Sequence, residues 1–162
     1  MSDFLSIGVC KLFDYFDDST SHYLVFEYLD GIDLFQLMEN RDFNPLGEAE
    51  ALFILRSVAP ILNGVHKLNV GHLDIKLENI FVTQESIKVI DFGLSSLTLR
   101  KCEQFCGSLD YSAPEVLHRQ AYDASKADVY SLVRICRINF SYLRNLGNCT
   151  ICFIMWLFSI YV

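Results

Sequence analysis

Three short blocks of residues carry the chemistry that this sequence could perform. The first runs from His72 to Asn79, the second is Asp-Phe-Gly at 91–93, and the third is Ala-Pro-Glu at 113–115. Asp74 in the first block is followed by a lysine two residues later and an asparagine five residues later. One arrangement that catalyses phosphoryl transfer has a carboxylate that accepts a hydroxyl proton, together with an amide and a second carboxylate that hold magnesium on nucleotide phosphates. The order and spacing of the blocks therefore predict phosphoryl transfer.

Periodicity in the sequence indicates the elements that must position these blocks. Residues 48–68 have apolar side chains at helical spacing, which predicts a long helix with a kink at Pro60. A short helix capped by Asp33 is predicted before it, and another helix from Lys126 onward. Residues 94–112 are predicted to be irregular. Short apolar runs predict four strands, at Lys11–Phe16, His22–Phe26, Ile80–Thr83 and Ile87–Ile90.

Length and charge limit the classes of protein. The 162 residues, 52% of them hydrophobic, suffice for one domain with a core. The net charge of −7 argues against nucleic acid or an anionic membrane as a general partner. All 20 acidic residues lie between Asp3 and Asp128, whereas residues 129–162 have only arginines as charged residues. This change predicts a boundary within residues 128–132.

The cysteines and the apolar C-terminal segment leave alternatives open. Six cysteines without a secretory signal predict reduced thiols and a cytoplasmic location. Cys149 and Cys152 have the spacing of a metal or redox pair, but no second pair accompanies them. Residues 149–162 are nearly all apolar, yet they are fewer than the roughly 20 residues that a spanning helix needs. A membrane partner is therefore not expected, and a tail anchor or non-native coding remain the alternatives.

Taken in order, these elements and blocks resemble the eukaryotic protein kinase fold. The resemblance covers about residues 9–132, from the fourth strand of the small lobe to the start of the large lobe's central helix, and residues 133–162 match nothing in it. Lys76 is typical of serine/threonine kinases, and Phe-Cys-Gly-Ser at 105–108 resembles the calmodulin-dependent and AMP-activated group. The resemblance implies an α+β fold, with two small-lobe strands and the first half of a mostly helical large lobe.

The resemblance also implies a site, with ATP and Mg²⁺ as cofactors and a protein as substrate. Asp74 is the implied catalytic base, and Lys76 the residue that neutralises charge on the moving phosphoryl group. Asn79 and Asp91 are the implied magnesium ligands. The implied nucleotide-site residues are Glu27 and Leu29 at the hinge, Asp33 at the ribose, Phe81 below the adenine, and Glu78, which meets a basic substrate residue in many relatives.

Further residues take structural positions by the same resemblance. Phe26 stands at the gatekeeper position behind the adenine. Asp128 is expected to tether the backbone of the catalytic loop from the central helix. Three members of the family's internal apolar stack are matched by Leu12, His72 and Phe92.

The sequence departs from the family pattern in ways that predict low activity. No Gly-rich loop precedes Lys11, and no strand lysine is paired with a helix glutamate, although turnover in this family needs that pair. Leu73 replaces the arginine that grips a phosphorylated activation loop, and Gln104 occupies the usual phosphoacceptor position. We therefore predict that the chain alone has little or no activity. The alternatives are a non-catalytic, pseudokinase-like scaffold or interaction protein, and a membrane-associated fragment.

Overall fold

Helices and short antiparallel strands make up the computed structural model, which describes residues 8–97, 99 and 101–139. The apolar segment 149–162, with its cysteine pair, lies outside the described residues. The elements are β1 (Leu12–Asp17), β2 (His22–Phe26), β3 (Gly31–Asp33), α1 (Leu34–Glu39), α2 (Glu48–Lys67), a 3₁₀ turn (Leu77–Asn79), β4 (Ile80–Thr83), β5 (Ile87–Val89), α3 (Pro114–Leu117) and α4 (Ala124–Asn139).

The long helix α2 supplies much of the core. Its start is fixed because the Gly47 N–H donates to the Glu50 carboxylate over 3.0 Å, which satisfies one of the free donors at the helix end. The helix continues through Pro60 as one element. Its apolar face packs against residues of α1, α4 and the β4–β5 hairpin. The α2 residues buried in this way are Ala51, Ile54, Leu55, Val58, Ala59, Ile61, Leu62 and Val65.

The three-stranded sheet, in the order β3-β4-β5, brings two of the chemical blocks together. Both of its strand pairs are antiparallel, and Ile80 of β4 is opposite Val89 of β5. A residue just before β4 and a residue just after β5 therefore meet at the same end of the hairpin. The Ile90 N–H donates to the Asn79 carbonyl over 3.0 Å at that end. The first and second blocks are thus adjacent in space.

The β1–β2 hairpin presents its apolar side chains to solvent. The strands pair antiparallel from Leu12 opposite Phe26 to Asp17 opposite His22. Asp18 stabilises the turn, because its carboxylate accepts from the N–H groups of the two residues after Ser19 over 2.7 and 2.8 Å. These hydrogen bonds lower the pKa of Asp18 to about 2, and the bond from the Thr20 N–H has the largest effect. Every residue of the two strands is exposed, so the hairpin offers a wide apolar surface.

Helix α4 crosses the predicted composition boundary. It begins at Ala124, two residues before the predicted start, and continues past Leu132. Val133 and Cys136 beyond that point are buried in the main core. The side chains that follow the predicted boundary thus help to form the core. No helix among the described residues is long and apolar enough to cross a membrane.

Candidate functional site

The backbone of the first block is held by a carboxylate on α4. Asp128, of which 1% is exposed, accepts from the N–H groups of His72 over 2.9 Å and of Leu73 over 2.8 Å. Its Oδ2 atom also lies 2.8 Å from His66 Nε2 on α2. Leu73 has φ 65°, a left-handed conformation that is costly for a side chain of this kind. The tether expected from Asp128 is present in the structure, and it holds this unusual backbone.

His72 connects the first block to the second. It is fully buried, its Nε2–H donates to the Ile90 carbonyl over 3.0 Å, and its Nδ1 accepts from the Asp74 N–H over 3.2 Å. One ring nitrogen donates and the other accepts, as in neutral imidazole. Burial lowers the pKa of His72, which favours the same neutral form. Its ring centroid lies 4.5 Å from that of Phe92, so these two members of the expected stack are in contact.

Both carboxylate oxygens of Asp74 are held in place. Oδ2 lies 2.8 Å from Lys76 Nζ. Oδ1 accepts from Ser108 twice, from the backbone N–H over 3.1 Å and from the hydroxyl over 3.0 Å. Burial by itself raises the pKa of Asp74, but the hydrogen bonds from Lys76 and Ser108 outweigh it, and the pKa lies below its ordinary value. Asp74 is therefore ionised at neutral pH, and its carboxylate is held in one orientation.

Asn79 and Asp91 bring oxygen atoms to the same region. Asn79 is buried, and its Nδ2 donates to the Asp74 carbonyl over 2.9 Å and to the Asp74 carboxylate over 3.2 Å. Both bonds use the amide nitrogen, so the amide oxygen takes part in neither. Asp91 is exposed, has φ 60°, and accepts from the Gly93 N–H over 3.1 Å. Lys76 is close enough to both aspartates that each raises its pKa, Asp74 more strongly through a hydrogen bond.

The predicted hinge residue Glu27 contacts the residue before β1 and a residue of β5. Its Oε1 atom accepts from the Lys11 N–H over 2.8 Å and from Lys88 Nζ on β5 over 2.8 Å. Its carbonyl oxygen accepts a weak hydrogen bond from Cys10 Sγ over 3.9 Å. Leu29 is half-buried in the connection from β2 to β3. The pair of Glu27 with Lys88 links the hinge to the strand that leads into the second block.

The remaining predicted nucleotide-site residues are placed as follows. Asp33 caps α1, because its Oδ1 accepts from the Gln36 N–H over 2.8 Å. It lies opposite Phe81 in the β3–β4 register. Phe81 is half-buried, and Glu78 is exposed in the 3₁₀ turn. The structure joins Asp74, Lys76 and Asn79 by direct contacts, and it joins Asp33 with Phe81 through the sheet.

Two contacts of this site were not predicted from the sequence. Ser108 binds Asp74 across 34 residues of chain. Gly107, with φ 89°, makes this approach feasible, since a Cβ at this position would lie 2.5 Å from the Leu73 carbonyl oxygen. The adjacent Gly-Ser pair is the one local signal that could have indicated this contact. The ion pair to Lys88 had no such signal, since a lysine in a strand is usually a solvent-exposed residue.

Comparison with known proteins agrees with this geometry. The family model described as "Protein kinase domain" matches residues 1–140. The chain is 36% identical to Protein kinase kin1 of Schizosaccharomyces pombe over 126 residues, covering 76% of this chain and 14% of that protein. It is 35% identical to Serine/threonine-protein kinase GIN4 of Saccharomyces cerevisiae, covering 76% of this chain and 11% of that protein. It is 34% identical to Sperm motility kinase 2B of Mus musculus, covering 77% of this chain and 26% of that protein. The chain thus spans a quarter or less of the length of most of these relatives.

Proposed function

Because this chain belongs to the protein kinase family, with serine/threonine kinases as its relatives, we propose that it carries the proton-accepting and magnesium-binding half of a serine/threonine kinase site. The reaction of that site is transfer of the ATP γ-phosphate to serine or threonine hydroxyls of a protein. One observation carries the proposal. The Asp74 carboxylate is ionised and held through both oxygens, by Lys76 and by Ser108.

Asp74 is assigned the role of base toward the substrate hydroxyl. A base of this kind must be ionised before the hydroxyl arrives, and the lowered pKa of Asp74 supports this. Its contacts with Lys76 and Ser108 fix the direction in which the carboxylate points, and catalysis of phosphoryl transfer depends on positioning together with electrostatic stabilisation. Lys76, whose Nζ lies beside Asp74, is assigned to the charge of the transferred group.

Asn79 and Asp91 are assigned as magnesium ligands. Magnesium prefers oxygen donors and commonly takes one or two from the protein, with the rest from phosphates and water. The amide oxygen of Asn79 and the exposed carboxylate of Asp91 fit that donor set. When bound, the ion neutralises charge on the nucleotide phosphates. The Ile90 N–H bond to the Asn79 carbonyl keeps the two ligand-bearing segments together.

The adenine and ribose are assigned to the hinge side of the same region. Glu27 and Leu29 offer backbone groups to the base, Asp33 offers its carboxylate to the ribose, and Phe81 forms the apolar floor. Asp33 uses Oδ1 to cap α1, so Oδ2 is the oxygen assigned to the sugar. Glu78, exposed next to Lys76 in sequence, is assigned to a basic residue of the substrate.

The chain by itself is proposed to turn over slowly or not at all. The sequence has no Gly-rich run, and residues 8–97, 99 and 101–139 contain no ion pair between a strand lysine and a helix glutamate. Without those groups the phosphates lack a backbone cradle and a cation, and removal of such electrostatic contacts costs orders of magnitude in rate. The competing proposal is a non-catalytic scaffold, which the exposed apolar hairpin favours. A cytoplasmic location is supported by the free thiols of the four described cysteines.

Two assays on the purified chain separate these proposals. Thermal unfolding is followed with and without Mg-ATP, and phosphate transfer to a mixed serine and threonine peptide library is measured in parallel. We expect Mg-ATP to raise the melting temperature of the parent and of Asp14→Ala, a control on the exposed hairpin, and not of Asp91→Ala. A shift that survives Asp91→Ala would contradict the assigned magnesium ligand. Transfer that Asp91→Ala abolishes would support the site but reject the proposed inactivity.

A further inference from the structure

One groove is lined by none of the residues assigned to the kinase site, and that site does not explain it. It lies between α1, the first turns of α2 and β4, and has a volume of about 380 Å³. Phe53 stands in it with 57% of its surface exposed, although phenyl groups are usually buried. A concave site of this volume is in the range of binding pockets. The groove is lined by Leu37, Leu46, Ala49, Glu50, Phe53, Ile54 and Val82.

The stretch of chain that supplies most of the groove is acidic in sequence. The span 34–54, which supplies six of the seven lining residues, contains four acidic residues and a single basic one, Arg41. Arg41 is already paired with Glu50, with Nη1 2.7 Å from Oε1. An occupant that is apolar and carries positive charge beside its apolar part is therefore the best complement. The other acidic residues of the span are Glu39, Asp42 and Glu48.

We propose that this groove binds the apolar segment 149–162 of the same chain, which lies outside the described residues. The segment contains Trp156 and further aromatic and branched side chains, the types that fill apolar pockets most effectively. No acidic residue follows Asp128, and Arg137 and Arg144 precede the segment. The apolar side chains of the segment and the arginines before it therefore complement an apolar groove formed by an acidic stretch of chain.

The length of chain between the fold and the segment is sufficient for this docking. The described part of α4 runs to Asn139, and nine residues of any chain, the number in 140–148, span at most about 30 Å when fully extended. A domain of this size has a radius of gyration of about 14 Å, about half of that span, so the connection is long enough to pass over a large part of the surface. A tethered ligand also has an effective concentration of about millimolar. Weak apolar contacts therefore suffice for docking in the same chain, where a free partner would need high affinity.

The exposed β1–β2 hairpin is the competing surface for the same segment. It is an exposed antiparallel pair of strands and not a groove, whereas apolar anchors gain most affinity in concave, desolvated pockets. A second copy of the chain or a lipid bilayer would also cover an apolar segment. Binding of the segment to any of these three alternatives would not depend on substitutions in the groove, and binding to a second copy would depend on protein concentration. One experiment therefore distinguishes them from the proposal.

Trp156 provides the measurement, because it is the only tryptophan among the 162 residues. Its emission maximum and its quenching by acrylamide are measured in the intact chain at several protein concentrations, without vesicles. Phe53→Asp is compared with Phe16→Asp, a matched control on the hairpin with 52% of its surface exposed. Ala49→Phe, which fills the groove with a larger side chain, is a second test variant, and circular dichroism verifies that each variant is folded.

We expect the Trp156 emission of the parent to be blue-shifted and protected from acrylamide at every concentration. Phe53→Asp and Ala49→Phe should each lower the equilibrium constant for docking by about tenfold or more. The emission of Trp156 should then shift to the red, and acrylamide should quench it more strongly. Phe16→Asp should leave both readings unchanged. The proposal is overturned if Trp156 is fully exposed in the parent, if its protection depends on protein concentration, or if only Phe16→Asp exposes it.

Discussion

Replacing Asp128 with alanine should destabilise the chain by about 3–5 kcal/mol. The carboxylate is 1% exposed and accepts from two backbone N–H groups over 2.9 and 2.8 Å. Removal leaves both buried donors without this acceptor, and each such loss costs about 1–3 kcal/mol. The pairing with His66 is lost as well. The hydrogen bond that holds the left-handed backbone at Leu73 is then lost, so the backbone of residues 72–74 should also change conformation.

Urea unfolding followed by far-UV circular dichroism measures this loss. Tryptophan emission is not used for this purpose, because Trp156 is proposed to report the docking of segment 149–162. Asp128→Asn keeps one acceptor oxygen and should cost only about 1–2 kcal/mol, which keeps the folded state measurable. Asp14→Ala, an exposed control, should change stability by less than about 0.5 kcal/mol. A cost below about 1 kcal/mol for Asp128→Ala would refute the tether as a determinant of loop stability.

Four other predictions follow from single residues. Lys101 has φ 57° and is exposed, so Lys101→Gly should raise the unfolding free energy by about 1 kcal/mol in urea titrations. Gly107→Ala should lower stability by about 1–3 kcal/mol and separate Ser108 from Asp74, visible as a higher carboxyl pKa in carbon-13 NMR titration. Lys76→Met should also raise the pKa of Asp74 in that titration, and an unchanged value would contradict the ion pair as a cause of the low pKa. The pKa of His72 is lower in the folded chain than in the unfolded chain, so the free energy of unfolding should fall as the pH drops through about 6.5. A His72→Asn variant should show a flatter dependence of this free energy on pH.

The long helix and the contact between two residues of the first block could be predicted from the sequence, because both depend on local patterns. The apolar period of residues 48–68 predicted α2 to within one residue, and the spacing from Asp74 to Asn79 predicted two side chains that prove to be in contact. The strand Gly31–Asp33 and the helix Pro114–Leu117 were not predicted, since three or four residues are too few to show a period.

Through-space contacts and exposure were beyond sequence reasoning. Ser108 meets Asp74 only because the chain folds back across 34 residues, and no spacing rule gives that distance. The apolar pattern of the β1–β2 hairpin is the usual mark of a buried surface, yet Phe13 and Tyr15 are 60% and 71% exposed. Periodicity indicates which residues favour burial, but it does not supply the surface that would cover them.

Paramagnetic broadening by Mn-ATP, with Mn²⁺ in place of Mg²⁺, tests the proposed site most directly, because it detects weak binding without any need for turnover. The account predicts that the side-chain amide of Asn79 and the backbone amide of Gly93, which contacts Asp91, broaden at low Mn-ATP concentration. Asp91→Ala should suppress the effect, and Asp14→Ala should not. Sharp signals from Asn79 and Gly93 while other parts of the chain broaden would contradict a metal–nucleotide site built around Asp74.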